Sequence, residues 1–197
     1  MSTHNGDRRE LIATSGIRII AGQGVRALTH RAIDREAGLP EGTTSYHART
    51  RDALLALIVE ELTTRSIADT AAFAAAMDGL SNVIVGPDQL AAQITDLIES
   101  LTDRRDDMKA RYALMLELDD RSNLRLRLTT HSDVHDLSER ATASALAQAG
   151  LPHTREHVAR LLTLADALVL YSTAIGDPKA REILANYLRG SLQQQDD

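Results

Sequence analysis

Apolar residues recur three and four positions apart along almost the whole chain, and this spacing constrains the fold more than any other feature. The period is typical of amphipathic helices, whereas the alternation typical of strands is nearly absent. Only four prolines interrupt the pattern. The sequence therefore predicts an all-α fold, and a chain of 197 residues with 43% hydrophobic content is long enough to bury a full core.

Glycine, proline and capping residues divide the pattern into segments. Gly38 is expected to take a positive φ in a turn, and Pro40 suits the first position of the helix after it. Thr29 and Thr50 are placed to cap the second and fourth helices. We expect helices over residues 7–22, 29–36, 40–47, 50–77, 87–101, 108–118, 123–149, 154–175 and 179–192.

Residues 29–54 form the most informative of these segments. They read as a short helix, a glycine turn and a second short helix that runs into a long one. A protein needs this order to lay one helix in the DNA major groove while neighbouring helix ends hold the phosphates. The segment therefore predicts a transcription regulator.

The charge is distributed unevenly along the chain. The net charge is −6, yet residues 1–51 carry eight arginines and five acids, a net of +3, and residues 52–197 carry a net of −9. A basic segment followed by an acidic one fits a DNA-reading head that keeps the rest away from phosphate. We expect a DNA-binding head over 1–51 and an effector-binding and dimerisation domain over 52–197.

Several other classes find no support in the sequence. Cysteine is absent, which excludes disulfides and thiolate chemistry, and no G-x-S-x-G elbow, P-loop or dinucleotide fingerprint occurs. No apolar run is longer than 53–59, which is far shorter than the roughly 20 residues that span a bilayer, and the first residues do not resemble a signal peptide. We expect a cytoplasmic protein without enzymatic activity or a cofactor.

Residues 8 to about 62 resemble the N-terminal domain of the TetR family of transcriptional repressors. The matching positions are Gly24, Thr29, Arg31, Ile33, Ala37-Gly38-Leu39, Gly42-Thr43 and Thr50-Arg51-Asp52-Ala53-Leu54. The resemblance implies a three-helix DNA-binding head, followed by a dimerising helical body with a small-molecule pocket. It also implies that a bound effector resets the distance between the two heads of the dimer, which must match about one turn of DNA, roughly 34 to 36 Å, or a multiple of it.

The candidate DNA contacts lie at the helix ends and on the recognition helix. Hydroxyl and aromatic groups can reach base edges and phosphates, and a cation in the first turn of a helix favours a nearby anion. The candidates are Thr29, Arg31, Glu41, Thr43, Thr44, Tyr46, His47 and Arg51.

Four positions depart from the family pattern. Ser45 and Ala48 stand where aromatics are usual, which predicts a smaller core under the recognition helix, with Tyr46 replacing part of that packing. Asp34 stands where a small residue is common, and Pro40 where a capping serine is frequent, so the recognition helix is expected to lack that cap.

The last two predicted helices carry more apolar surface than one monomer core would normally use. Residues 158–175 show two apolar stripes, which favours a homodimer formed through the two C-terminal helices. A palindromic double-stranded operator follows from that symmetry. The effector is unknown, and candidate pocket residues that mix apolar bulk with polar atoms are Met108, Tyr112, Met115 and His131.

Two histidine patterns keep a metal-dependent hydrolase open as an alternative. His131 and His135 lie one turn apart with Glu139 a turn further on, and residues 153–157 match H-x-x-E-H. A solvated helix face is the simpler interpretation of both, and we expect no metal. A helical adaptor that binds a protein rather than DNA is the other alternative.

Overall fold

The computed structural model describes residues 3–79, 85–119, 122–129 and 132–193. Every regular element within these ranges is helical, which confirms the all-α fold. The elements are α1 (Thr3–Gln23), a 3₁₀ turn (Val25–Ala27), α2 (His30–Glu36), α3 (Thr43–His47), α4 (Arg51–Gly79), α5 (Pro87–Asp103), α6 (Arg105–Glu117), α7 (Asn123–Leu128), α8 (Asp133–Gln148), α9 (Arg155–Ala174) and α10 (Ala180–Gln193).

Two predicted helix starts are confirmed by their caps. The Thr29 hydroxyl accepts the N–H of Ala32 at 3.1 Å, and the Thr50 hydroxyl accepts the N–H of Ala53 at 3.1 Å. Each bond satisfies a first-turn donor that has no partner inside its own helix.

The prediction of one helix over 123–149 is wrong. The segment forms α7 and α8, with a break after Leu128. The Ser132 hydroxyl donates to the carbonyl of Thr129 at 3.1 Å, an oxygen that a continuous helix would offer to the N–H of residue 133. Local competition of this kind leaves no trace in the apolar period that predicted a single helix.

Contacts divide the chain into two compact units, of which the first combines residues 1–65 and 105–132. Its core is built mainly from aliphatic side chains of α1 and α4, with Leu28 and Ile33 from the segment between them and Ala110 and Leu114 from α6. Helix α1, the segment 29–54 and helix α4 therefore share one hydrophobic core with α6. The division of function at residue 51 stays a prediction.

An arginine network links three helices of this unit. Arg65 on α4 donates to Glu61 at 2.7 Å, to Asp107 of α6 at 2.9 Å and to Thr14 of α1 at 2.6 Å. The Asp107 side chain is 7% exposed, so a carboxylate with little access to water is paired with a guanidinium.

The second unit combines residues 66–104 and 133–197. Within it, α5 packs against α9 and α10, and α8 packs against α9. Leu90, Ile94 and Ile98 form the buried side of α5, as the apolar period predicts. Ion pairs join Arg104 to Asp69 and Arg189 to Asp88. Across the described ranges, no helix is both long and apolar enough to cross a bilayer.

Candidate nucleic-acid interface

Two glycines shape the turn between α2 and α3. Gly38 has φ 63°, which confirms the predicted left-handed turn, and Gly42 has φ 91° immediately before α3. An L side chain is strained at both angles, so glycine permits the change of direction at each. The recognition helix α3 begins at Thr43, and the prediction that Pro40 opens it is wrong. Pro40 instead lies in the turn, where its carbonyl accepts the N–H of Thr43 at 3.1 Å.

Asp34 provides the cap that Pro40 cannot. Its carboxylate reaches from α2 to the start of α3, where Oδ2 accepts the N–H of Gly42 at 2.8 Å. Oδ1 accepts the N–H of Thr44 at 2.8 Å and the Thr44 hydroxyl at 2.6 Å. Three donors at the helix start therefore converge on one side chain that is 4% exposed. The position that departs from the family pattern fixes the recognition helix to its neighbour.

The carboxylate of Asp34 is held in its charged form. Burial alone would raise its pKa, but the hydrogen bonds from the Thr44 hydroxyl and from the N–H groups of Thr44 and Gly42 act in the opposite direction, and His30 adds to them. The net effect is a pKa below the ordinary value of 3.8. A charged acceptor makes each of these bonds stronger than a neutral one would.

Further contacts secure the other ends of the segment. The His30 ring nitrogen Nε2 lies 2.6 Å from the carbonyl of Ala48, which joins the start of α2 to the end of α3. Arg51 donates from Nη1 to the carbonyl of Leu28 at 2.6 Å and from Nη2 to that of Val25 at 2.7 Å. These carbonyls supply the negative partner that a cation in the first turn of α4 would otherwise find in an external anion.

The outward side of α3 presents Tyr46. This side chain is 82% exposed, so the prediction that it fills the core under the recognition helix is wrong. Its ring meets that of His47 edge to face, with centroids 5.3 Å apart. Burial, with the positive charges of Arg9 and Arg8, lowers the pKa of His47, so the ring is neutral at physiological pH.

The remaining candidates occupy distinct environments. Arg31 and Glu41 form an exposed ion pair at 3.0 Å, and the Thr43 hydroxyl donates to the carbonyl of Pro40 at 2.7 Å. Thr44 must be removed from the predicted DNA contacts, because it has 0% exposure and its hydroxyl is committed to Asp34. Ala48, 2% exposed, lies in the core, as expected for a position that is usually aromatic.

The second unit contains a cavity of about 60 Å³. Thr70 and Phe73 of α4, Ile94 of α5, and Ser138 and Thr142 of α8 line it together with small and aliphatic residues of α8 and α9. Of the predicted pocket residues, Met108, Tyr112 and Met115 belong to the first unit and none lines this cavity. His131 lies outside the described residues.

The described histidines of the two candidate metal-binding patterns contact groups close to them in the sequence. His153 Nδ1 lies 3.1 Å from the carbonyl of Leu151, and His157 Nδ1 lies 2.7 Å from the Thr154 hydroxyl. His135 lies 3.5 Å from Glu139. Within the part of the chain that the structure describes, no three His, Asp or Glu side chains are grouped so that they could hold a metal ion.

A capped helix-turn-helix followed in the chain by a helical body is the architecture of a transcriptional regulator. Residues 85–194 match the family described as “Tetracyclin repressor-like, C-terminal domain”. The chain belongs to the TetR family of transcriptional regulators, which confirms the family that residues 8 to about 62 resemble.

Solved structures agree with this assignment. A member of the TetR family from Streptomyces coelicolor A3 is 26% identical, with 92% of this chain and 98% of that chain covered and a TM-score of 0.62. The multidrug binding protein EbrR complexed with ethidium is 25% identical, with 93% and 99% of the two chains covered and a TM-score of 0.58. The comparison with curated proteins gave no match.

Proposed function

We propose that the protein is a homodimeric, sequence-specific DNA-binding repressor that a small-molecule effector releases from a palindromic operator. The observation that carries the proposal is the recognition helix, which is fixed by the buried Asp34 cap and presents an exposed aromatic outward. An aromatic side chain that is 82% exposed is suited to base edges or sugars.

The proposed DNA contacts are groups that are exposed or half-buried. Thr43, Tyr46 and His47 belong to α3 and face the major groove, while Thr29 approaches phosphate from the start of α2. Arg51 is not among the proposed contacts, because both of its Nη groups donate to carbonyls of the neighbouring segment. Arg31 takes part when phosphate competes with Glu41 for its guanidinium, since an exposed ion pair is worth at most about 1 kcal/mol. The net charge of +3 over residues 1–51 favours the approach to DNA.

Tyr46→Ala tests whether the exposed side of α3 contacts DNA, and it should not disturb the fold. Fluorescence anisotropy on DNA from upstream of its own and adjacent genes should show at least tenfold weaker binding, while the free energy of unfolding stays within about 0.5 kcal/mol. Leu116→Ala is the matched control, because Leu116 is 84% exposed on α6 and outside the proposed interface. Equal affinity of both variants would contradict the proposed face, and binding of no DNA at any salt concentration would favour the adaptor alternative.

The homodimer is proposed to form through α9 and α10. Leu170 is 46% exposed, Tyr171 45%, Ile175 70% and Ile183 38%, and together they supply apolar surface on these two helices or directly after them. Exposed apolar patches of this kind mark association surfaces. Leu170→Glu should convert a dimer to a monomer in analytical ultracentrifugation, whereas Leu116→Glu should not. A monomeric wild-type protein at micromolar concentration would contradict the proposal.

The effector is proposed to bind in the cavity of the second unit rather than near Met108, Tyr112 or Met115. A concave, mainly apolar surface with a few hydroxyl groups is typical of small-molecule sites. EbrR is a multidrug binding protein that has been crystallised with ethidium, so a protein of similar fold accommodates an organic ligand. Ligand that stabilises the free protein against heat while lowering its DNA affinity would support release as the mechanism.

A further inference from the structure

None of the described residues that line the cavity of the second unit has an ionisable side chain. Its lining consists of aliphatic groups, three hydroxyls and one aromatic ring, that of Phe73. A charged ligand that entered it would lose its hydration and find no opposite charge among the lining residues, which is strongly unfavourable. A single ring also provides less than the aromatic cage that recognises quaternary ammonium groups.

The hydroxyl groups show where a polar atom would be held. The Thr70 hydroxyl donates to the carbonyl of Ser66 at 3.0 Å, so it offers the cavity only lone pairs. Ser138 and Thr142 lie one turn apart on α8 and both line the cavity, and neither hydroxyl has a hydrogen-bond partner among the described residues. Thr142 is nevertheless buried, at 8% exposure.

The space favours a slender molecule. The volume is about 60 Å³, and the small residues Ala141, Ala145 and Ala165 are among those that line it. A flexible straight chain can adapt to a space of this size, whereas a rigid fused-ring system would require the surrounding side chains to move.

Building on the proposed effector site, we propose that the effector is an uncharged, mainly aliphatic molecule whose one hydrogen-bonding group lies against Ser138 and Thr142. The two hydroxyls can donate to an oxygen of the ligand or accept from it. This chemistry differs from that of ethidium, a planar cation, which the similarly folded EbrR binds.

Isothermal titration with chain-matched probes tests the inference. The probes are 1-octanol, octylammonium and ethidium, and the proteins are wild type, Ser138→Ala/Thr142→Val and Ser144→Ala. Ser144 lies exposed on α8 outside the cavity, so it controls for loss of a hydroxyl from the same helix. We expect octanol to bind at least tenfold more tightly than octylammonium or ethidium, and the double variant to lose about tenfold in octanol affinity while Ser144→Ala loses none.

Three results would overturn the inference. They are equal or tighter binding of either cation, unchanged octanol affinity in the double variant, and no binding of octanol at all. Melting temperatures of the three proteins within a few degrees of each other ensure that loss of binding is not loss of the fold. DNA affinity of each ligand-free protein is measured in parallel, so a protein that binds DNA but not octanol contradicts this inference alone, and one that binds octanol but no DNA contradicts the proposed function.

Discussion

Asp34→Asn removes the charge that holds the start of the recognition helix and keeps the size of the side chain. The amide oxygen can take the place of Oδ1 and accept both donors of Thr44, but the NH₂ group then faces the N–H of Gly42 and that hydrogen bond is lost. Hydrogen bonds to a charged group contribute about 1.5–3 kcal/mol each, and the two that remain become weaker neutral bonds. We expect a loss of about 2 kcal/mol in the free energy of unfolding.

Two related variants separate the contributions of the individual hydrogen bonds to the free energy of unfolding. Asp34→Ala leaves the two donors of the fully buried Thr44 without an acceptor and should cost about 3–4 kcal/mol. Thr44→Val removes one donor and leaves the carboxylate with two N–H groups, so it should cost about 1 kcal/mol. Urea unfolding followed by circular dichroism measures these values, with Asp52→Asn, an exposed acid in the first turn of α4, as the control.

The pH dependence identifies the charge as the cause. Because the folded pKa of Asp34 lies below 3.8, its contribution is complete at pH values well above 3.8 and is lost as the pH falls through the folded value. The stability difference between wild type and Asp34→Asn should be constant from pH 5 to 7 and shrink below pH 3.8. A difference under 0.5 kcal/mol at pH 7, or one that does not change in acid, would refute the assignment of Asp34 as a charged cap.

Three further predictions concern the first unit. Gly16→Ala should cost about 1–3 kcal/mol, because the new Cβ would lie 2.9 Å from Cγ1 of the fully buried Ile58, whereas Gly22→Ala in the same helix meets no atom within 4 Å and should raise stability by up to about 1 kcal/mol. Asp107→Asn should lower the free energy of unfolding by about 2–3 kcal/mol through loss of the ion pair with Arg65, with a proportionate fall in melting temperature. Thr50→Ala should cost about 1 kcal/mol through loss of the α4 cap. Thermal and urea unfolding check all three, and a Gly16→Ala, Asp107→Asn or Thr50→Ala variant as stable as wild type would contradict the clash, the ion pair or the cap, respectively.

Features with local causes were predictable from the sequence. The positive φ of Gly38 and the caps at Thr29 and Thr50 depend on residues at most three positions away, and all were confirmed. The apolar period likewise identified the buried side of α5.

Features that depend on contacts between helices were not predictable in this way. Asp34 seemed only a departure from a pattern, because its partners lie eight and ten residues further on. Thr44 was predicted to contact DNA, but its hydroxyl is bonded to Asp34 and its side chain is buried. Tyr46 was expected in the core and is exposed instead. An acid in α2 followed ten residues later by a threonine is a signal that could have suggested the pairing. The cavity is assembled from four helices, so sequence alone offered no basis for choosing its lining over Met108 or Tyr112.

Selection of binding sites from a pool of random double-stranded DNA tests the central claim most directly. The purified full-length protein should enrich an inverted repeat whose half-sites are about one helical turn apart, roughly 34–36 Å, or a multiple of that distance. Enrichment of no sequence, or of a single motif without two-fold symmetry, would contradict a dimeric repressor that reads DNA through α3.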